Sequence, residues 1–318
     1  QCPYVSIDNT KKILVTGAAG QIGIELTAAL REKYGTENVM AIDIRETEAA
    51  KSGPFKICNI LDLNKYKKIV SDNNIGTVYH LAAILSATGE KNPKLCFDVN
   101  MNGLQNVLEV AREYEQRIFC PSSIAVFGPD VPKENTPQNV ALNPTTVYGL
   151  TKVAGELLCD YYVNKYNVDI RGIRYPGLIS WKNKPSGGTT DYAVEIYFGA
   201  AQNEKYQCFV NEETRLPMMY MPDAIRGTLE LMDAPLKSLK YHSNYNLSGM
   251  SFSAGELAES IQKVIPNFEC TFKPDSRQEI ADSWPVTIDD GAAKKDWGWK
   301  PKFDIKTMTK DMLKNLRN

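Results

Sequence analysis

The chain has 318 residues, 43% of them hydrophobic and 24% charged, which suffices for one large or two modest domains with a buried core. Its formal net charge is −1, and lysines and arginines are spread along the sequence. This pattern argues against a nucleic-acid or membrane-surface partner. The apolar runs are far shorter than the roughly 20 residues that a membrane helix needs. Composition therefore predicts a globular protein with neither kind of partner.

Strands and helices alternate through the first half of the chain. Short apolar runs predict strands at Lys12–Thr16, Val39–Ile42, Thr77–Ala83, Arg117–Ser123 and Asp169–Tyr175. Helical periodicity predicts helices at Gln21–Tyr34, Lys65–Val70, Phe97–Tyr114 and Thr151–Tyr166. Such alternation is typical of an α/β fold with a doubly wound parallel sheet, the Rossmann arrangement.

A glycine-rich loop, VTGAAGQIG, joins the first predicted strand to the first predicted helix. Gly17, Gly20 and Gly23 have the spacing G-x-x-G-x-x-G. The first glycine permits a tight turn, the second lets the backbone approach a pyrophosphate, and the third lets the helix pack on the strand. The helix N-terminus then offers free N–H groups to a phosphate. The loop therefore predicts a dinucleotide site.

An acidic residue, Asp43, stands at the end of the next predicted strand. A carboxylate there accepts hydrogen bonds from the adenosine ribose and repels a 2′-phosphate, which favours NAD over NADP. Arg45, two residues further on, acts against this preference. The alternative is that Asp43 is an ordinary solvated residue at a strand end.

The pattern changes after Tyr175, where a Gly- and Thr-rich segment is followed by shorter elements. We predict an NAD-binding Rossmann domain over residues 1–177 and a smaller, mainly substrate-binding part over residues 178–318. Within the second part, helices are predicted near Asp223–Met232 and Ser253–Val264. A segment near residues 241–249 is expected to return to the main sheet.

Tyr148 and Lys152 lie four residues apart at the start of a predicted helix, so their side chains share one face. A free tyrosine ionises near pH 10. A neighbouring ammonium favours the phenolate, which can then remove a proton from an alcohol. Ser122 and Ser123 end a neighbouring strand and could hold the reacting oxygen, and we choose Ser123. The alternative is that either serine only bonds loop backbone.

The seven cysteines are dispersed and form no C-x-x-C pair, and the chain has two histidines, His80 and His242. An odd number of scattered cysteines is typical of reduced intracellular thiols. No spacing of Cys, His and carboxylates suits zinc, so we predict a site without a metal.

The glycine loop, Ser123 and Tyr148-x-x-x-Lys152 together resemble the extended short-chain dehydrogenase/reductase family. HLAA (80–83), VNMNGLQNVLEVA (99–111) and RYPG (174–177) support the likeness. RYPGLIS, GGTTDYA, TRLPMMYM, MSFSAGELA, SWP and KDWGWKP are similar to the branch of that family that oxidises L-threonine. The resemblance implies oxidation of L-threonine by NAD to 2-amino-3-oxobutanoate and NADH, in threonine catabolism.

The resemblance also implies roles for individual residues. Tyr148 would be the base, Lys152 would favour its phenolate and hold the nicotinamide ribose, and Ser123 would bind the reacting hydroxyl. The implied cofactor contacts are Gly17, Gly20, Gln21, Ile22, Gly23, Asp43, Ile44, Arg45, Asn59, Ile60, Leu81, Ala82, Ala83, Asn100, Tyr148, Lys152, Tyr175 and Leu178. The implied substrate contacts are Ser86, Ser123, Tyr148, Thr189, Thr190, Asp191 and Trp284.

Some of these assignments have alternatives. Relatives often place an acid after the third strand, where this chain has Asn59. Thr189 and Thr190 are also suited to cap the helix that follows them, and Trp284 is suited to a core position. The resemblance further implies a homodimer, joined through Phe97–Tyr114 and the helix that carries the Tyr–Lys pair. It implies a mitochondrial location in a eukaryote, a cytoplasmic one in a bacterium, and no secretion.

Two other functions compete with this one. A nucleotide-sugar epimerase or dehydratase shares the fold, but often has Asn at the position of Gly177. Dehydratases also carry an acid pair where this chain has Ile124 and Ala125. A non-catalytic NAD-sensing protein would usually lack Tyr148 or Lys152, and both are present. These differences favour a small alcohol substrate and catalysis.

Overall fold

The computed structural model describes residues 11–47, 50–185 and 187–317. The strands are β1 Lys12–Thr16, β2 Val39–Asp43, β3 Phe55–Ile57, β4 Ile75–His80, β5 Arg117–Phe119, β6 Ser122–Ser123, β7 Ile170–Arg171, β8 Ile173–Tyr175, β9 Gly177–Ile179, β10 Lys205–Cys208, β11 Arg215–Tyr220, β12 Tyr245–Asn246, β13 Met250–Ser253 and β14 Glu269–Phe272. The α-helices are α1 Gln21–Tyr34, α2 Leu63–Asp72, α3 Ser86–Lys91, α4 Pro93–Phe97, α5 Gly103–Tyr114, α6 Val147–Tyr166, α7 Tyr192–Asn203, α8 Met221–Asp233, α9 Ala254–Gln262, α10 Arg277–Ser283, α11 Gly291–Trp297 and α12 Ile305–Arg317.

The main sheet is parallel and has the strand order β3-β2-β1-β4-β5-β7. This confirms the predicted α/β fold with a doubly wound sheet. The order reverses between β1 and β4, so the loops that follow these two strands diverge at the carboxyl edge. Such a switch point is where open α/β sheets bind their ligands.

Alternate residues of β1 contribute to two separate hydrophobic cores, one on each face of the sheet. Ile13 and Val15 pack with α1, α8 and α11. Leu14, between them, packs with α2, α5 and α6 on the other face. Successive side chains of a strand point to opposite faces. The sheet is therefore covered on both sides, which explains why its strands read as continuous apolar runs.

The remaining short strands pair with one another outside the six-stranded main sheet. Strand β12 pairs in parallel with β8, which pairs with β6. Its residues, Tyr245 and Asn246, lie within the segment predicted to return to the sheet. Strands β9, β11 and β13 form a second small sheet, and β10 pairs with β14. The division at residue 177 stays a prediction.

Three predicted elements are interrupted. The strand predicted over Arg117–Ser123 is broken around Pro121, because proline has no N–H for the ladder. The strand predicted over Asp169–Tyr175 is broken at Gly172, where a Cβ would collide with the Cys120 carbonyl. The helix predicted over Phe97–Tyr114 contains a π-helical turn at Asp98–Asn102. The first and last of these breaks adjoin the site described below.

No helix within the described residues has the length and apolar character to cross a membrane. Within the same residues, no three His, Cys, Asp or Glu side chains are arranged to hold a metal ion.

Candidate active site

The backbone of the glycine loop leaves no room for a side chain at Gly17 or at Gly23. Gly17 has φ +67°, and a Cβ there would lie 2.6 Å from the Ala82 nitrogen. A Cβ on Gly23 would collide with the Gly17 carbonyl. Gly20, which caps α1, has no side chain to cover the N–H groups of the first helical turn. The loop is thus an open cradle of donors at the switch point.

A buried polar atom marks the same place. The Nε2 atom of Gln21, the first residue of α1, has no hydrogen-bond partner among the described residues. Buried donors are normally paired. An anionic group over the glycine loop would supply acceptors for this amide and for the helix N-terminus. The loop therefore fits the pyrophosphate of a dinucleotide.

Asp43 fastens the end of β2 to this loop. Its Oδ2 accepts a hydrogen bond from the Ala19 N–H at 2.9 Å, and Oδ1 accepts from Ile44 N at 2.7 Å and Arg45 N at 3.3 Å. A carboxylate has about four acceptor sites, so a lone pair remains for a ribose hydroxyl. Ile44 is 68% exposed beside it. The ribose contact stays a prediction.

The far wall of the cradle is the backbone after β4. The Thr16 hydroxyl accepts from Leu81 N at 3.2 Å and Ala82 N at 3.3 Å, and it pairs with His80 Nδ1 at 2.8 Å. These side-chain bonds end the strand before the predicted Ala83. Burial, with a smaller contribution from the Lys152 charge, lowers the pKa of His80 to about 3. His80 is therefore neutral near pH 7.

Asn100 holds the chain that leads from β4 to α3. Its Oδ1 accepts from Ile84 N at 2.8 Å, and Nδ2 donates to Ile84 O and to Thr151 Oγ1, both at 3.1 Å. The amide lies in the π-helical turn and is buried. Asn100 therefore links α6 to the wall of the cofactor groove. Its predicted cofactor contact is untested.

Four other predicted cofactor residues lie at the rim of the groove or behind it. Asn59 is exposed, and its Oδ1 accepts from Leu61 N at 3.0 Å, whereas Ile60 is buried. Tyr175 is buried, and its hydroxyl bonds Thr228. Leu178 is half-buried on β9. The structure gives Tyr175 a packing role, and its cofactor contact stays a prediction.

The start of α6 brings the phenol and the ammonium together. Thr146 caps the helix by accepting from Gly149 N at 3.0 Å. Lys152 Nζ lies 5.5 Å from the centre of the buried Tyr148 ring and donates to the Pro121 carbonyl at 2.9 Å. The lysine is held in place by this carbonyl and stands beside the phenol, as the sequence spacing predicts.

The two candidate serines have different surroundings. Ser122 Oγ is buried and donates to Glu156 Oε1 at 2.5 Å. Ser123 Oγ accepts from Ala125 N at 3.1 Å, where it caps a short 3₁₀ turn. The hydroxyl proton of Ser123 is not used in that bond. Ser123 is therefore the serine whose hydroxyl proton is available to a ligand, and its contact with the reacting hydroxyl stays a prediction.

Two predicted substrate residues meet although they are far apart in the sequence. Ser86 Oγ and Thr189 Oγ1 lie 3.0 Å apart, and Thr189 N donates to Ser86 Oγ at 3.3 Å. The Gly187 carbonyl accepts from Ala87 N at 3.1 Å and from Thr88 N at 3.4 Å. The loop before α7 is thus fastened to the start of α3. Both hydroxyl-bearing residues are buried at this junction.

Asp191 anchors the same loop. Its Oδ2 accepts from Gly187 N at 2.9 Å and Gly188 N at 2.8 Å. Burial raises the pKa of Asp191, and these two hydrogen bonds oppose the rise. Asp191 also occupies the N-cap position of α7, for which Thr189 and Thr190 were considered, but its side chain makes no capping hydrogen bond. One carboxylate oxygen is therefore committed to the loop, and a contact with a substrate ammonium stays a prediction.

Trp284 is 5% exposed and packs in the core formed with α7, α9 and α12. This burial agrees with its alternative assignment to the core. Its contact with a substrate is untested.

The sequence matches the profile of the NAD dependent epimerase/dehydratase family over residues 13–248. The chain belongs to this family. Its NAD dependence agrees with the fit of the glycine loop and with the cofactor predicted from the sequence. Membership also confirms the resemblance to the extended short-chain dehydrogenases and reductases.

Relatives within the family cover almost the whole chain. An uncharacterized epimerase/dehydratase from Staphylococcus aureus strain USA300 is 50% identical over 310 residues, which are 96% of this chain and 97% of the relative. A solved monomeric L-threonine 3-dehydrogenase from a metagenome is 65% identical, with a TM-score of 0.94 and coverage of 96% and 98%. A GalE-like L-threonine dehydrogenase from Cupriavidus necator in its holo form is 49% identical, with a TM-score of 0.94 and coverage of 96% and 99%.

Sequence reasoning missed one polar pair next to Tyr148 and Lys152. Glu156 and Arg174 form a buried ion pair, with Arg174 Nη2 2.7 Å from Glu156 Oε2. The available signal was the position of Glu156, which lies four residues after Lys152 on the same helix face. The arginine could not be paired with it from sequence alone, because it comes from a separate strand.

Proposed function

We propose that this protein is an NAD-dependent L-threonine 3-dehydrogenase, which oxidises L-threonine to 2-amino-3-oxobutanoate and forms NADH. The observation that carries the proposal is the placement of the Lys152 ammonium beside the Tyr148 phenol, 5.5 Å from its ring centre. The pair stands on a chain that aligns over 96% of its length with L-threonine dehydrogenases. Ser123 supplies a hydroxyl nearby in the same family arrangement.

In the proposed reaction, Tyr148 Oη removes the proton from the threonine hydroxyl. The Lys152 ammonium stands beside the phenol, and its bond to Pro121 O at 2.9 Å keeps it in position. The Ser123 hydroxyl donates to the reacting oxygen, since its lone pair already accepts from Ala125 N. The loop of Gly17, Gly20 and Gly23 would hold NAD, which would supply the hydride acceptor for the carbon that carries the hydroxyl.

The amino-acid end of the substrate is assigned to the junction of α3 with the loop before α7. Ser86 and Thr189 offer hydroxyls there, and Thr190 is half-buried next to them. A carboxylate is a natural acceptor for such donors. The proposal places the threonine carboxylate against these hydroxyls and its ammonium toward Asp191.

One packing contact disfavours a nucleotide-sugar substrate. A Cβ on Gly177 would collide with Met218 Sδ and lie 2.9 Å from Thr190 Cγ2. The asparagine that sugar-nucleotide enzymes often use at this position would therefore not fit. The space is filled by the chain's own side chains, which favours a small substrate.

We also propose the two-part organisation of the chain that is predicted from the sequence. Residues 1–177 would hold NAD and residues 178–318 would mainly hold the substrate, with residues 241–249 returning to the sheet. The parallel pairing of β12 with β8 supports this arrangement.

A homodimer is the proposed assembly. Leu150, Leu157 and Tyr161 are 49%, 66% and 52% exposed on α6, and Leu95 and Phe97 are 42% and 44% exposed on α4. An apolar stripe of this kind is a candidate protein interface. The monomeric relative at 65% identity is the counterexample. Light scattering should give a dimer mass for the wild type and a monomer mass for Leu157→Glu, whereas a monomeric wild type would refute the proposal.

Substrate turnover separates the proposed function from its two rivals. NADH formation should be followed by absorbance with L-threonine, isopropanol and UDP-glucose, each with NAD and with NADP. We expect rapid turnover with L-threonine and NAD, and a loss of up to about 10⁴-fold without the charged groups of the substrate. Good activity on UDP-glucose would favour an epimerase or dehydratase. Tight NAD binding without turnover of any substrate would favour a sensor.

A further inference from the structure

Three side chains of α6 follow one another at a spacing of four residues: Tyr148, Lys152 and Glu156. They therefore share one helix face. The first two have proposed roles in the reaction. Glu156 is 5% exposed, and buried carboxylates need strong partners.

Glu156 has such partners on both of its oxygens. Oε1 accepts from Ser122 Oγ at 2.5 Å and from Arg174 Nε at 2.8 Å, and Oε2 accepts from Arg174 Nη2 at 2.7 Å. The arginine is bidentate, which fixes the plane of the carboxylate as well as its position. Ser122 and Arg174 are paired residues of β6 and β8. One side chain of α6 thus binds two adjacent strands.

Arg174 makes further hydrogen bonds through its third guanidinium nitrogen, Nη1. Its Nη1 donates to the Gln138 carbonyl at 3.0 Å and to Asn246 Oδ1 at 3.1 Å. Asn246 belongs to β12, the strand beyond β8. Arg174 is 3% exposed and cannot turn toward water without breaking these bonds. The ion pair is therefore a rigid connection between α6 and this part of the sheet.

A second contact joins α6 to the same short segment, one helical turn nearer the site. Lys152 donates to the Pro121 carbonyl, and Glu156 accepts from the next residue, Ser122. The residue after that is Ser123. Two contacts spaced one turn apart define where the helix lies along the segment. That position in turn determines how far Tyr148 stands from the Ser123 hydroxyl.

We infer that Glu156 is a positioning residue: through Ser122 and Arg174 it sets the placement of α6 along β6, and hence the distance between the Tyr148 phenol and the Ser123 hydroxyl. The inference rests on the proposed function for the reaction that these groups perform. Misplacement of reacting groups by about 1 Å can cost 10²-fold in rate. The competing explanation is that the ion pair only stabilises the fold.

Paired variants separate the two explanations. Glu156→Gln leaves Arg174 buried without a counter-charge, which should lower both Tm and kcat. The double variant Glu156→Met with Arg174→Met removes both charges at similar volume, and such exchanges are often neutral for stability. We expect Tm to recover in the double variant while kcat stays at least about 10-fold low, because Ser122 has lost its acceptor. Recovery of kcat together with Tm would overturn the inference.

The chain supplies a control in another ion pair, which is partly buried. Asp169 binds Arg171 Nε at 2.9 Å and Arg117 Nε at 2.8 Å, at the amino end of β7. Asp169→Asn should lower Tm much as Glu156→Gln does, but should leave kcat within about two-fold of wild type, since the reacting groups lie at the carboxyl edge. An equal loss of kcat in the control would show that destabilisation alone explains the effect.

A crystallographic comparison of wild type with Glu156→Gln tests the inference without any substrate. In wild type the distance from Lys152 Nζ to Pro121 O is 2.9 Å. In Glu156→Gln we expect this distance to exceed the hydrogen-bond limit of about 3.2 Å, with α6 displaced along β6. An unchanged distance would overturn the inference. A wild type that is inactive on L-threonine would instead overturn the proposed function, and the distance would still decide the role of Glu156.

Discussion

The cofactor half and the substrate half of the site are built on different principles. The cradle at Gly17–Gly23 is a continuous strand–loop–helix segment, and its shape comes from local backbone geometry. The substrate side is assembled from contacts between distant residues, such as Ser86 with Thr189, 103 positions apart. A site shaped by local backbone geometry depends on few neighbouring residues, whereas a site assembled from distant residues depends on the whole fold. Changes in the two halves should therefore have different consequences.

The largest effect on kcat should come from Tyr148, at the junction of the two halves. Tyr148→Phe removes the phenol oxygen and keeps the buried ring, so kcat should fall by about 10²–10⁴-fold while NAD binding is retained. Steady-state kinetics and fluorescence titration with NAD measure the two quantities. Tyr166→Phe, near the other end of α6, is the matched control and should keep full activity. A parallel loss of NAD affinity in Tyr148→Phe would mean that the variant disturbs the cradle.

The local character of the cofactor half is tested by Gly17→Ala. The new Cβ would meet Ala82 N at 2.6 Å and the backbone would stay at φ +67°. NAD affinity should fall about 10-fold or more, equivalent to about 1.4 kcal/mol, and Tm should drop. Gly298→Ala is the matched control, since φ is +77° with nothing within 4 Å of the added Cβ. It should cost only the backbone strain of about 1–2 kcal/mol and leave NAD affinity unchanged.

The long-range character of the substrate half is tested by Asp191→Asn. Asp191 is proposed both to anchor the loop and to face the substrate ammonium, so the variant should lose more kcat/KM on L-threonine than on 3-hydroxybutyrate, which has no ammonium. We expect the additional loss on L-threonine to be about 10-fold, the equivalent of one charge-assisted hydrogen bond. An equal loss on both substrates would show that Asp191 only anchors the loop and would contradict the ammonium contact. Kinetics with the two substrates decide between these roles.

The smallest effect on activity near pH 7 should come from His80, behind the cofactor groove. Its pKa is lowered to about 3 in the folded protein, against about 6.5 when unfolded. Between these values the unfolded chain binds more protons, so the free energy of unfolding should fall as pH drops from about 6.5 toward 3. Urea titrations across this range measure the slope. His80→Asn should reduce the slope, and an unchanged slope would assign it to other groups.

The sequence was informative where structure is local. Helix α1 has the bounds that its periodicity predicted, and the glycine spacing located the cradle. Polar contacts across the fold were not predictable. Ser123 was chosen over Ser122 on position alone, and its physical reason, the buried acceptor on Glu156, appears only once α6 lies on β6.

Backbone breaks were also missed, for a related reason. Apolar content predicts a continuous strand through Pro121, but the missing N–H ends the ladder there. The π-helical turn at Asp98–Asn102 reflects tertiary contacts of Asn100 with Ile84 and Thr151. Periodicity carries no signal for such contacts. The assignments of Asp191, Trp284 and Tyr175 to ligands remain predictions, since each side chain also has a structural role.

The most direct test of the proposed reaction uses L-threonine with deuterium at C3, incubated with the enzyme and NAD. If the carbon that bears the hydroxyl gives up its hydride, the reduced cofactor will contain the deuterium, and single-turnover NADH formation will be slower than with unlabelled substrate. Mass spectrometry of the cofactor reads the label. Reduced cofactor without deuterium, or no reduced cofactor at saturating L-threonine and NAD, would contradict the account.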